Sequence, residues 1–189
     1  MTSQVPTLVD QRFRETAAAE GLLDVAYDVA DSPLGPLLVA STGRGLCRIA
    51  FDPQPERFEE QLARSFGLRL LRVPSAVDGA RRQLDEYFAG QREVFELPLD
   101  LHLARDFSRT VLDELARVPF GEVTTYGTLA ARAGRPRAAR AVGTVMNRNP
   151  IPIVLPCHRV VGATGSLVGY GGGLERKQQL LTLEGAIVG

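Results

Sequence analysis

Residues 151–161, Ile151-Pro152-Ile153-Val154-Leu155-Pro156-Cys157-His158-Arg159-Val160-Val161, constrain this chain more tightly than any other stretch. An apolar run that reads as a buried strand ends at Pro156. Three functional side chains follow, and apolar character then returns at once. A strand core has no use for a thiol, an imidazole and a guanidinium where valine would pack. The pattern predicts a site held on a rigid element.

The bulk properties narrow what that site can be. At 189 residues the chain can form one generous domain or two small ones. No apolar run reaches the roughly 18 residues of a transmembrane helix, so no membrane association is expected. Met1 to Pro6 lacks the basic flank and apolar core of a secretory signal, which points to the cytoplasm. Cys47, His102, Cys157 and His158 are the only cysteines and histidines, and none shows metal-ligand spacing. Neither a disulfide scaffold nor a metal site is expected. Net charge is zero, but its distribution is uneven: from Pro119 onward eight cations face three anions, leaving +5 there and −5 before it. A basic second half suits a polyanionic partner.

Residues 1–22 read as an N-terminal extension with too few apolar positions to define a face. Residues 23–100 then read as an α+β scaffolding domain. Val25, Tyr27 and Val29 alternate as a half-buried strand, and Leu37–Ala40 and Leu46–Phe51 continue it as a meander through two tight turns. Cys47 falls in the third strand as a small hydrophobe. A helix over Glu56–Phe66, a short strand over Leu68–Val73 and a helix opening at Pro74 follow. Phe95–Leu99 reads as a proline-marked edge strand. His102, in a linker over 101–105, reads as a surface residue.

From Asp106 to 189 the pattern turns helical. Phe107, Val111, Leu112, Leu115 and Val118 share one face. A threonine-capped short helix stops at Gly134, and Pro136 opens a second one over Arg137–Asn147. Helix, glycine turn, helix is the helix-turn-helix pattern. The second helix carries Arg137 and Arg140 among small residues (Ala138, Ala139, Gly143), so its backbone can lie close to a duplex. The last helix, Leu174–Leu183, turns Leu180, Leu181 and Leu183 inward.

A cysteine attacks well only as a thiolate, which requires a lowered pKa or a nearby base. His158 is adjacent to Cys157, yet strand neighbours point to opposite faces. A working pair therefore needs a turn at Pro156 or a bridging water. Glu184 is a candidate to orient the imidazole. The loop Gly169–Gly173 matches no nucleotide fingerprint and reads as a pocket wall in which Tyr170 offers an aromatic face.

Pro156-Cys157-His158-Arg159-Val160, with Asn149-Pro150 before it and Tyr170-Gly171-Gly172-Gly173 after it, closely resembles the O6-alkylguanine-DNA alkyltransferases. Phe120-Gly121-Glu122-Val123 with Tyr126, Ala138–Gly143, Leu180-Leu181 and Glu184-Gly185 extend the resemblance. So do Ser32–Leu37 and Leu84–Phe88, and in all it covers about residues 25–185. It implies an RNase H-like, mainly antiparallel N-terminal sheet with helices and a mostly helical C-terminal domain. It implies single-use, irreversible transfer of an alkyl group from guanine O6 in duplex DNA to Cys157 after base flipping. O4-alkylthymine stays open as a second substrate.

By the same resemblance His158, through a water, and Glu184 activate the thiol, and Tyr126 assists the leaving base. Arg140 fills the gap left by the flipped nucleotide, with Thr125, Arg137, Ala138, Ala139 and Gly143 against DNA in the minor groove. Asn149, Met146, Val160, Tyr170, Gly171 and Gly172 form the substrate pocket. No cofactor is implied. The protein is expected to act as a monomer, with cooperative assembly on DNA open. Three positions depart from the pattern: Gly171 replaces a serine of some members, Leu112 replaces a common tryptophan, and the zinc ligands of some members are missing. A non-catalytic lesion-binding protein would lack Cys157, a transcription regulator would carry polar base-reading residues on its second helix, and a Cys-His hydrolase would turn over.

Overall fold

The computed structural model of the chain describes residues 7–186, so residues 1–6 of the expected N-terminal extension lie outside the described residues. Thr7–Ala19 (α1) is a helix with Phe13 largely exposed. The chain divides into two compact units, Met1–Asp85 with Glu96–Asp100 and Glu86–Phe95 with Leu101–Gly189. The architecture is α+β.

The first unit holds a four-stranded sheet ordered β3-β2-β1-β4, formed by β1 (Val25–Ala30), β2 (Leu37–Thr42), β3 (Gly45–Phe51) and β4 (Leu70–Arg72). The meander β1-β2-β3 is antiparallel, and β4 joins β1 in parallel. Helix α2 (Pro55–Phe66) places Phe58 and Leu62 in a core with Val25, Tyr27, Leu38, Ala40 and Cys47. The 3-10 turn Pro74–Val77 packs against β1 and β2, and α3 (Asp78–Phe88) follows it.

Two expectations for this unit need correction. Strand β1 does not alternate between core and solvent: five of its six residues are buried. Both faces are covered, and Asp28 tolerates burial because Arg72 and Arg81 pair with it. Nor is there a strand at 95–99. A single bridge joins Leu99 to Leu46, because Pro98 has no N–H with which to extend a ladder.

In the second unit α4 (Asp106–Leu115), α5 (Tyr126–Arg132) and α6 (Ala139–Asn147) pack on one another, burying Val111, Leu112, Leu115, Leu129, Ala130 and Val142. Thr125 caps α5 by accepting from the Thr128 N–H at 3.1 Å. The helix-turn-helix is present, but its second helix begins at Ala139 rather than Arg137. Arg135 to Ala138 form a turn closed by Ala138 N–H to the Arg135 carbonyl (2.9 Å), with Pro136 at its preferred second position. A two-stranded parallel ladder pairs β5 (Thr124–Thr125) with β6 (Val160–Val161). Helix α7 (Leu174–Leu183) buries Leu180 and Leu181, whereas Leu183 is 37% exposed, against expectation.

Candidate active site

The apolar run before Cys157 is not a strand. Pro150, Pro152 and Pro156 deny it ladder donors. The segment folds instead into a buried turn closed by Leu155 N–H to the Ile151 carbonyl at 2.9 Å. Ile153 adopts φ +76° within it, a left-handed conformation strained for a β-branched residue. Asn149 secures the turn: its side-chain oxygen accepts from Ile151 N–H at 3.1 Å, and its amide donates to the Leu155 carbonyl at 2.8 Å. Cys157–Arg159 then form one 3-10 turn. A strand would have sent Cys157 and His158 to opposite faces. A 3-10 turn sets neighbours about 120° apart instead, so the pair still works only through a bridging group.

All three side chains are buried. Cys157 is 5% exposed and accepts a hydrogen bond from the Asn149 amide at 3.0 Å. Burial pushes its thiol up to about 11, against the lowering pull of Asn149 and of the Lys177 charge. His158 is fully buried, and its Nε2 lies 2.8 Å from Glu184 Oε1. Desolvation outweighs Glu184 and holds His158 below its usual range. Burial would raise the Glu184 carboxyl, but the bonds from His158, Arg159 and Tyr87 bring it down to about 2. An ionised Glu184 makes Nε2 the protonated nitrogen. The Nδ1 lone pair has no partner among the described residues.

The surroundings of Glu184 were not foreseen. Arg159 grips both of its oxygens at 2.8 Å and donates to the Val118 carbonyl at 2.6 Å. Tyr87 donates to Oε1 at 2.6 Å. Gly121 packs so closely, with φ +75°, that a side chain there would press on the Glu184 carbonyl at 3.1 Å. Lys177 was missed as well: its ammonium is fully buried and donates to the carbonyls of Val160 (2.6 Å), Val168 (2.9 Å) and Gly169 (3.4 Å). Only the i to i+4 spacing of Lys177 from the inward Leu181 hinted that it faces inward.

A cavity of about 310 Å³ is lined by Tyr126, Gly143, Met146, Asn147, Cys157, Val168, Gly169, Tyr170 and Gly171. The expected residues Tyr126, Met146, Tyr170, Gly171 and Cys157 meet there, joined by Gly143. Asn147, Val168 and Gly169 are additions. Asn149, Val160 and Gly172, expected in the pocket, are not among its walls; Val160 is a β6 residue whose carbonyl holds Lys177. The β5-β6 ladder sets Thr125, one residue before Tyr126, beside Val161, and the Tyr126 hydroxyl donates to the Val168 carbonyl at 3.2 Å. At Gly171 an added Cβ would meet nothing closer than the Asn147 carbonyl at 3.9 Å, so the missing serine leaves free space. Arg132, Arg135, Arg137 and Arg140 are exposed on and between α5 and α6, with Ala138 and Ala139 half-buried.

The family models for 6-O-methylguanine DNA methyltransferase match in two parts: the ribonuclease-like domain over residues 25–101 and the DNA binding domain over 106–186. The chain belongs to this family. The methylated-DNA–protein-cysteine methyltransferase of Mycobacterium tuberculosis is 43% identical over 160 residues, 85% of this chain and 92% of that one. The protein of the same name from Methanosarcina barkeri is 42% identical over 158 residues, 84% of this chain and 96% of its own. The crystal structure of Mycobacterium tuberculosis OGT in complex with DNA superposes with a TM-score of 0.75 at 42% identity, covering 85% of this chain and 92% of that one. Membership accounts for the order of the motifs along the whole chain, and no described helix is long and apolar enough to cross a membrane.

Proposed function

We propose that this family member repairs DNA directly, moving the alkyl group of O6-alkylguanine onto Cys157 in one irreversible step. One observation carries the reading: a thiol 5% exposed, hydrogen-bonded by Asn149, lining a cavity sized for a flat ligand. Such a thiol cannot reach a base stacked in a duplex, so the nucleotide must leave the stack. The thiol proton passes to Nδ1 of His158 through a water, while Glu184 on Nε2 stabilises the imidazolium. The thiolate then attacks the alkyl carbon. An S–C bond forms, the C–O6 bond breaks, and the electron pair leaves on guanine O6; the departing base takes a proton from Tyr126, and the proton held on His158 restores the phenol, so both groups end neutral. O4-alkylthymine would fit the same scheme.

Residues 106–189 would serve as the DNA-binding and acceptor domain and residues 23–100 as scaffold. The exposed arginines of the helix-turn-helix contact phosphates. Ala138, Ala139 and Gly143 bring α6 close in the minor groove, where Arg140 takes the place of the extruded nucleotide. The chain acts as a monomer without a cofactor. Its free cysteines suit the reducing cytoplasm.

Duplex DNA carrying labelled O6-methylguanine tests this directly. Label should pass to the protein at no more than one per chain, and Cys157→Ser should take none. Repeated turnover, or protein that stays unlabelled, would refute the proposal; the second outcome would favour a lesion-binding protein.

A further inference from the structure

Glu184 holds more hydrogen-bond donors than a carboxylate needs in order to stay in place. Arg159 fixes it side-on through two bonds of 2.8 Å, and its Oε2 also faces the Gly121 N–H at 3.5 Å. Position is thereby settled. Yet Oε1 takes two further donors, His158 Nε2 at 2.8 Å and the Tyr87 hydroxyl at 2.6 Å. Three donors therefore share an oxygen with two lone pairs.

Tyr87 is built to donate there. It sits in the last turn of α3 and is fully buried. Its ring packs against Phe88, Phe95 and Phe120, with centroids 5.4, 5.3 and 6.1 Å away. Arg159 lies over the same Phe120 ring at 5.8 Å. Burial and the neighbouring carboxylate keep the phenol protonated throughout the physiological range. Arg159 and Lys177 also act on His158, Cys157 is its chain neighbour, and Tyr170, itself influenced by Arg176, lies within the field of Cys157 and Glu184.

We propose that Tyr87 tunes the relay, drawing charge from Glu184 so that His158 stays a weak base and Cys157 stays a thiol until substrate is seated. The inference rests on Cys157 being the alkyl acceptor. The positive end of the Tyr87 O–H dipole points at the oxygen that would stabilise an imidazolium, so it opposes proton transfer from Cys157 to His158. An acceptor used once gains from this restraint, because a resting thiolate would be consumed by any small electrophile that entered. Tyr87 is a positioning and tuning residue, since it acts only through Glu184.

The test is Tyr87→Phe, which keeps the ring and removes the O–H. The chain has two histidines, His102 and His158, so labelled imidazoles can be followed individually by NMR. His158 should titrate higher in the variant by about half to one pH unit. Iodoacetamide should alkylate Cys157 about three- to tenfold faster near neutral pH. If the variant folds poorly, 3-fluorotyrosine at position 87, a stronger donor of nearly the same shape, should move His158 the opposite way. An unmoved His158 titration in both proteins, or a downward shift in Tyr87→Phe, would overturn the proposal and leave Tyr87 a packing residue. The titration needs no alkyl transfer, so failure of wild-type protein to take label from DNA would refute the acceptor reading while leaving the tuning measurement intact.

Discussion

One Asn149 amide serves two partners, donating to the Cys157 sulfur at 3.0 Å and to the Leu155 carbonyl at 2.8 Å. The same residue therefore shapes the buried turn and stabilises negative charge on the sulfur. Asn149→Ala should slow transfer from free O6-benzylguanine by about 10- to 100-fold, the scale expected from one lost hydrogen bond to a charged group. Asn149→Asp should be slower still, since a carboxylate would repel the thiolate. Stopped-flow or label-transfer rates at fixed pH check both.

The raised thiol makes the rate depend on pH in a defined direction. With Cys157 near 11, the unassisted thiolate fraction grows about tenfold per unit below that value. His158→Ala should show that slope between pH 7 and 9, whereas the wild-type protein, assisted by the imidazole, should show a shallower one. Equal slopes would remove His158 from the relay.

Lys177 gives up hydration to bond three carbonyls, two of them on the cavity-lining residues Val168 and Gly169. Lys177→Met would leave those carbonyls unpaired and should cost about 2–4 kcal/mol in denaturant unfolding. Its effect on reaction with free base should exceed that of an equally destabilising substitution in the first unit, because Val168 and Gly169 line the cavity.

Acid should weaken the second unit through two groups acting in the same sense. Glu184, near 2 when folded against 4.5 as a free group, stabilises above pH 4.5, and that contribution is lost as pH falls toward 2. The difference is worth about 3 kcal/mol. His158, depressed by burial, also favours the unfolded state once pH drops below its unfolded value. Glu184→Gln should lose stability at pH 7, by about 3–5 kcal/mol since Arg159 is left buried without its counter-charge, and should flatten the acid limb of the stability–pH curve.

Arg140 is exposed at the start of α6, away from the cavity walls. Arg140→Ala should slow repair of duplex about tenfold or more while sparing reaction with the free base.

Much of this site was legible because its chemistry is local in sequence. Cys157, His158 and Asn149 lie within ten residues, and Glu184 follows a helix whose end glycine marks. Helical periods placed α2, α4 and α7, whereas the helix read from Pro74 begins at Asp78 after a 3-10 turn and the one read from Arg137 begins at Ala139. The backbone around Cys157 was not legible, because Ile151–Leu155 has strand composition while its prolines forbid a strand, and composition weighed more than donor count. Tyr87 and Lys177 stayed hidden for another reason. Tyr87 lies 97 residues from its partner, and Lys177 in its helix reads as a solvated cation. Only the folded chain shows carbonyls and a carboxylate waiting for them.

Cys47 completes the picture. Its thiol is 1% exposed, donates to the Ala40 carbonyl at 3.3 Å, and is pushed up to about 12 chiefly by burial. With the second sulfur so deeply withdrawn, a chain whose acceptor is Cys157 would be a reagent of unit capacity. The repair a cell can perform at one moment would then be a head count of unspent chains, replenished only by the ribosome.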